Sequence, residues 1–315
     1  MSKTASPPHS ASAPRSPAFS GPPAFSGGSH GGGHRGNNGG SNGGSNGGDA
    51  LTPLRRDGMR ARRFPALRTI FALILREIAT SYSKSPGGYL WAVLEPAAAL
   101  AMFSLGFSFL FASPPIGNSF PLFYATGFLP FMMFNDVSNK IATAISFSRP
   151  LLAYPVVSFM DALLARFLLN VLTHLMIAWL VFFTLIAVFD ARADLNLPVI
   201  FKGFALAAAL GIGIGTLNCY LMTSFPLWER TWQILTRPLF IVSGIFFTYD
   251  SMPKSAQDIA WYNPLLHIIG VMRDGFYGAY RDDYVSVTYV LAISLLTFAT
   301  GMLLLWRHHK KLLEA

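Results

Sequence analysis

Charge is scarce in this chain of 315 residues: Asp, Glu, Lys and Arg together make up 12%, against about 25% in ordinary soluble domains. With 52% hydrophobic residues and a mean hydropathy of +0.42, too little polar surface remains to cover a water-facing body of this size. The composition reads as an integral membrane protein. Cysteine is nearly missing as well. Cys219 stands alone, which excludes an intrachain disulfide and a cysteine-rich metal centre and leaves the redox compartment open. No lysine follows a glycine, so the Gly-Lys-Ser/Thr loop that cradles nucleotide phosphates is lacking and ATP does not bind by that route. Outside the glycine-rich first 50 residues there is no Gly-x-Ser-x-Gly string, and there is no His-Glu-x-x-His pair and no intramembrane carboxylate pair at catalytic spacing, so nothing argues for an enzyme. The first 50 residues hold no apolar run of the kind a cleavable signal peptide needs.

Those 50 residues are rich in Ser, Pro, Gly and Asn, with Ser41-Asn42-Gly43-Gly44 repeated at once as Ser45-Asn46-Gly47-Gly48. They cannot bury enough apolar surface to offset ordering, and residues 1–50 are expected to form a disordered tail. Residues 51–88 carry a basic collar (Arg55, Arg56, Arg60, Arg62, Arg63, Arg68) and then Leu67, Ile70, Phe71, Ile74, Leu75, Ile78 and Tyr82 at steps of three and four. That spacing predicts one apolar helical face, and the run is too short and too charged to span. It should lie in the membrane interface. Residues 89–311 form the membrane domain, with spans of about 20 apolar residues expected at 89–112, 121–143, 159–189, 200–223, 232–249 and 285–306. The expected fold is all-α and polytopic, with six transmembrane helices. Sixteen Lys and Arg fall on the side of the N-terminal collar, against Arg192, Lys202, Lys254, Arg273 and Arg281 on the other. This bias puts both ends in the cytoplasm. It also accounts for the net charge of +9 without nucleic acid as a partner.

Polar groups inside spans carry most of the functional information, because they are costly there. Arg166, Asn170 and His174 recur every four residues along the third span, which makes one stripe. Either they line a translocation path or they bond neighbouring helices. Glu95, Asp136, Lys140 and Asp161 lie near the cytoplasmic boundary, where pairing with neighbours or snorkelling suffices. Gly211, Gly213 and Gly215 sit mid-span with no preceding strand, so they read as close helix packing and not as a dinucleotide loop. Between spans five and six, Asn263 and Pro264 read as the N-cap and first residue of a short helix, preceded by another short helical piece from Lys254. Aromatic faces stack on sugar C–H surfaces; Tyr89, Trp91, Trp261 and Tyr262 are candidate sugar contacts or entrance gates. The alternative is an ordinary interfacial belt.

The order of motifs completes the reading. Ser85-Pro86-Gly87-Gly88-Tyr89-Leu90-Trp91 leads to Leu94-Glu95-Pro96, then Thr126-Gly127-Phe128-Leu129-Pro130-Phe131, Arg149-Pro150-Leu151-Leu152, Asp161 to Arg166, and Asn263-Pro264-Leu265-Leu266-His267 with Arg273. Over about residues 66–311 this resembles the permease subunit of ABC-2 type transporters, in the branch that exports capsule polysaccharide across the bacterial inner membrane. The resemblance implies a non-enzymatic homodimer working with a separate ABC ATPase, which would bind the ATP and Mg, so that no cofactor is held in this chain. It implies a lipid-linked polysaccharide substrate, contact with membrane lipids, and periplasmic and outer-membrane export proteins as further partners. Ser148, Arg149, Pro150 and Leu151 would belong to the coupling helix, within about Ser146 to Pro155. Asn263, Pro264, His267 and Arg273 would belong to periplasmic gate helices. The alternatives are a permease for O-antigen or another lipid-linked glycan, another ABC-2 exporter permease, or an ATPase-independent secondary transporter or channel. The last would need mid-span carboxylates, and those spans are nearly free of acids.

Overall fold

The computed structural model describes residues 65–314 except 83–87, 110, 112, 153–157, 190–193, 279, 281 and 282. The expected tail and most of the basic collar lie outside the described residues. Ten α-helices follow one another with no strand among the described residues: α1 Pro65–Tyr82, α2 Gly88–Ser108, α3 Phe120–Ala142, α4 Ala144–Leu152, α5 Phe159–Phe189, α6 Leu197–Ser224, α7 Trp228–Val242, α8 Lys254–Ala260, α9 Pro264–Phe276 and α10 Val287–Glu314. Among the described residues, stretches of α2, α5, α6 and α10 are long and apolar enough to cross a membrane by length and composition. Helix α3, with 23 residues, is long enough but more polar at its C-terminal end. Helix α7 has 15 residues, about 22 Å at 1.5 Å per residue, short of a hydrocarbon core of about 30 Å.

Helix α6 is the centre. It is held between α3 and α10 by glycine contacts. A Cβ at Gly211 would press on Val137, and one at Gly215 on Ile141 and the Ser138 carbonyl, both of α3. On the opposite face a Cβ at Gly213 would strike the Ser294 carbonyl of α10, and one at Gly301 of α10 would lie 2.5 Å from the Leu217 nitrogen. The glycines expected to permit close packing do so, by letting backbone approach backbone. Phe123, Tyr124 and Phe134 of α3, Leu210 of α6 and Leu265, Leu266 and Ile269 of α9 fill the core between these helices. Leu105 of α2, Trp179 and Phe183 of α5 and Leu295 and Leu303 of α10 face outward, as lipid-facing side chains should.

Local signals explain most boundaries. A capping box starts α5: the Ser158 hydroxyl accepts from Met160 N–H at 3.3 Å while the Asp161 carboxylate accepts from Ser158 N–H at 3.1 Å. Asn263 caps α9 as expected, its side chain accepting from Leu265 N–H at 3.0 Å ahead of Pro264. The loop before α6 is stitched to the end of α9 by Asp194 N–H to the Phe276 carbonyl and Asn196 N–H to the Gly275 carbonyl.

Two expectations need correction. The helix expected at 232–249 starts at Trp228 and stops at Val242, because Gly244 takes a left-handed φ of +82° and turns the chain away. The apolar face expected on α1 is split: Ile70 and Ile74 face inward, whereas Phe71 and Leu75 are exposed and Glu77 is buried. An ion pair, described next, holds Glu77 inward.

Candidate functional site

Arg166 of α5 lies at a junction of four helices. Its Nε is 3.1 Å from the Glu77 Oε1 of α1, with both side chains buried. Its Nη1 donates to the Lys140 carbonyl at 2.7 Å and to the Thr143 hydroxyl at 3.0 Å. Thr143 is the C-cap of α3, so the guanidinium sits where the helix dipole is negative and the last carbonyls lack partners. Below it lies Phe147 of α4: the guanidinium carbons of Arg166 and Arg76 are 4.1 and 5.4 Å from the ring centroid, a cation–π stack. One charged group thus ties α1, α3, α4 and α5 together. Ser148 of α4 is buried beside this junction in sequence, while Arg149, Pro150 and Leu151 lie within α4 with side chains outside the described residues.

A polar ladder climbs from there. Asn170 donates to the Arg166 carbonyl at 2.8 Å. His174 Nε2 is 3.1 Å from the Asp136 carboxylate of α3, Asn135 donates to Asp136 at 3.4 Å, and Asn139 donates to Asn135 at 3.2 Å. Asn135 and Asn139 also line a cavity of about 730 Å³ between α3 and α7, together with Trp232, Gln233, Thr236 and Arg237. Phe131, Phe240 and Phe246 complete its wall, the first two edge-to-face at 5.0 Å and the last two at 5.3 Å. Amides, an indole and aromatic faces around a cavity can hydrogen-bond and stack on sugar rings.

The segment between α7 and α10 is a separate, tightly bonded cluster. Arg273 of α9 is almost wholly buried; Nη1 donates to the Phe247 carbonyl at 2.9 Å, Nη2 to the Ile245 carbonyl at 3.1 Å, and the guanidinium covers the Phe123 ring at 4.3 Å. It therefore fastens the turn after α7 onto α9 and α3. His267, also buried, accepts from Ser286 N–H at Nδ1 (3.2 Å), which leaves Nε2–H to donate to the Trp261 carbonyl at 2.7 Å. Burial pushes its pKa below the ordinary value and keeps the ring neutral. Trp261 donates from its indole to the Tyr284 carbonyl and packs on Tyr289, and burial raises the Tyr284 phenol far above its usual range.

The structure therefore places the residues singled out in the sequence in several settings. Arg166, Asn170 and His174 form one connected stripe, Arg166 within a buried junction and His174 against Asp136. Trp91 and Tyr262 are exposed, whereas Trp261 is partly covered inside an aromatic cluster; Tyr89 has its side chain outside the described residues. Asn263, Pro264, His267 and Arg273 come together on α9. Sequence reasoning missed Glu77, Phe147 and the α7 face of the cavity. The signal was present: Asn135 and Asn139, and Gln233 with Arg237, repeat at i, i+4 in mostly apolar helices. Among the described residues no group of three metal-ligating side chains occurs.

A bundle of apolar helices, with a short connector helix held against a charged junction and a polar cavity beside it, is the membrane component of a transport system. The chain belongs to the ABC-2 type transporter family, which it matches over residues 68–277. It is similar to the polysialic acid transport protein KpsM of Escherichia coli, 31% identical over 236 residues that cover 75% of this chain and 92% of that protein. It is also similar to two capsule polysaccharide export inner-membrane proteins. CtrC of Neisseria meningitidis serogroup B is 26% identical over 243 residues, covering 77% of this chain and 92% of that protein. BexB of Haemophilus influenzae is 27% identical over 238 residues, covering 75% and 89%.

Proposed function

We propose that this chain is the inner-membrane permease subunit of an ATP-driven exporter of capsular polysaccharide. Hydrolysis belongs to a separate ABC ATPase, which agrees with the lack of a phosphate-binding loop. Two copies of the permease form the pore. Six segments cross the membrane, α2, α3, α5, α6, α7 with the turn that follows it, and α10, with both ends cytoplasmic. Helix α1 lies along the inner interface, and α8 and α9 form the periplasmic gate. The lipid-linked polymer passes the cavity between α3 and α7, with Trp91, Tyr89 and Tyr262 at the ends of the path.

The observation that carries this reading is the junction above α4. A nine-residue connector helix whose Phe147 ring bears the guanidinium of Arg166 is placed to pass a push from below into α1, α3 and α5 at once. The motion needs no chemistry in this chain. The test is Arg149→Glu, which reverses the charge on the connector helix where the ATPase would dock. The expected outcome is loss of surface polymer and of ATPase co-purification, with permease levels in the membrane unchanged. Normal surface polymer at normal permease levels would reject the docking role.

A further inference from the structure

Aromatic contacts fasten α2 to α3: Phe103 meets Phe128 and Phe107 meets Tyr124, with ring centroids 5.7 and 5.2 Å apart. Toward α5 the same helix leaves a groove of about 650 Å³, lined by Leu100 and Ser104 of α2, Phe120 of α3 and Val181, Leu185 and Phe189 of α5, among others. No charged side chain lines it. Along α5 it runs from Leu180 to Phe189, about 14 Å at 1.5 Å per residue. That is the depth of one leaflet of a hydrocarbon core about 30 Å thick. The leaflet is the one remote from α1 and α4, which the proposed orientation makes periplasmic.

Two hydroxyls toward the outer end of this groove lack partners. Hydroxyls in apolar helices commonly bond back to a carbonyl of the preceding turn, as Ser108 does to Leu105 and Thr184 to Leu180. Ser104 lines the groove and makes no such bond, although its hydroxyl is buried. Ser119, next to the lining Phe120, is the N-cap residue of α3. Its buried hydroxyl also finds no partner among the described residues, and it leaves the first turn of α3 without a side-chain cap. A buried hydroxyl calls for an acceptor, and an uncapped helix start favours an anionic oxygen. An apolar chain one leaflet long, an ester carbonyl above it and a phosphate above that are the parts of a glycerophospholipid.

We propose that this groove binds one phospholipid of the bilayer. One acyl chain lies between α2 and α5, an ester carbonyl accepts from Ser104, and the phosphate meets Ser119 and the first turn of α3. The site needs only that α2 and α5 cross the membrane. It involves neither cargo nor ATPase, so export that proved independent of Arg149 would leave it standing.

The full-length permease, in the complex in which it purifies, is reconstituted into vesicles of phosphatidylethanolamine and phosphatidylglycerol in equal parts. The vesicles carry a trace of phosphatidylethanolamine with a diazirine midway along one acyl chain. After irradiation, labelled peptides are read by mass spectrometry. Residues 97–104 and 181–189 should take several-fold more label than Leu295 and Leu303, which stand exposed on α10. Ala101→Trp, which fills the groove from α2, should bring that excess down to the α10 level and leave α10 labelling unchanged. Thr184→Trp should do the same from α5, so loss of fold in one variant leaves the test intact. Ser104→Ala should lower the excess about two- to tenfold, the effect of one hydrogen bond. A diazirine-bearing hexadecane, which has neither ester nor phosphate, should label the groove and α10 alike. Equal labelling of groove and α10 by the phospholipid overturns the proposal, and so does a hexadecane excess as large as that of the phospholipid. Label on α10 with none in the groove would mean that protein covers it, which also overturns the proposal.

Discussion

Glu77 and Arg166 are each costly to bury and are tolerable only as a pair. Removing one partner leaves a buried unpaired charge, a loss of about 3–5 kcal/mol, whereas replacing both with apolar residues of similar volume is often neutral. Glu77→Ala should therefore lower the melting temperature of the purified permease sharply, and Glu77→Leu with Arg166→Met should regain most of it. The double variant still loses the link to Phe147 and to the end of α3, so ATP hydrolysis by the partner should continue while polymer export falls. Recovery of both stability and export would show the junction to be structural only. His267 makes a second prediction at this scale. Its pKa is depressed in the fold by burial, from 6.5, so above that value the folded and unfolded chains bind the same number of protons there. As pH falls below 6.5 the unfolded chain takes up a proton that the fold refuses, and stability is lost. The protection of amides across 264–276 against hydrogen exchange, taken relative to their intrinsic rates, should fall between about pH 6.5 and 5, and His267→Gln should flatten that dependence.

Helices α3, α6 and α10 owe their spacing to glycine. Leucine at Gly213 has no room against the Ser294 carbonyl and should cost more than the ~1–3 kcal/mol usual for overpacking, because backbone and not a flexible side chain stands in the way. Gly213→Leu should fail to accumulate in membranes, while Gly106→Leu, where a Cβ meets nothing, should accumulate normally. Much at this scale was legible in the sequence. The α5 limits at 159 and 189, the close-packing glycines and the Asn263 cap all follow from local rules: run length, small-residue spacing and capping chemistry act within a few residues of each other. What was not legible depends on partners distant along the chain. Glu77 sits on what looks like the polar side of an amphipathic helix, and only Arg166, some ninety residues on, makes its inward turn favourable. The early end of α7 hinges on Gly244, a residue whose φ is free in the sequence and settled by the Arg273 bonds to Ile245 and Phe247. The cavity escaped notice because its polar groups are shared between two helices, neither of which is polar enough alone.

Across the whole molecule the helices differ greatly in how firmly they are held. No residue of α7 is buried, and α2 is largely exposed along Leu90, Trp91, Leu94, Met102 and Leu105. Faces of that kind are covered by lipid or by a second copy. In a two-fold homodimer the same patch meets itself, so a thiol at Ile234 of α7, in a Cys219→Ser background, should cross-link to its counterpart through a short bifunctional reagent. A product that stays at single-chain mass, in a complex that still carries its ATPase, would remove α7 from the interface. The glycine-locked trio around α6 has a further consequence. A machine that moves cargo needs a stator as well as moving parts. Here the contact of α6 with α10 is the natural stator, and α2 and α7, with few buried residues among the described ones, have the most freedom to swing. Probes of the working stroke placed where α6 meets α10 should therefore register less than the same probes on α2 or α7, which should report each turnover.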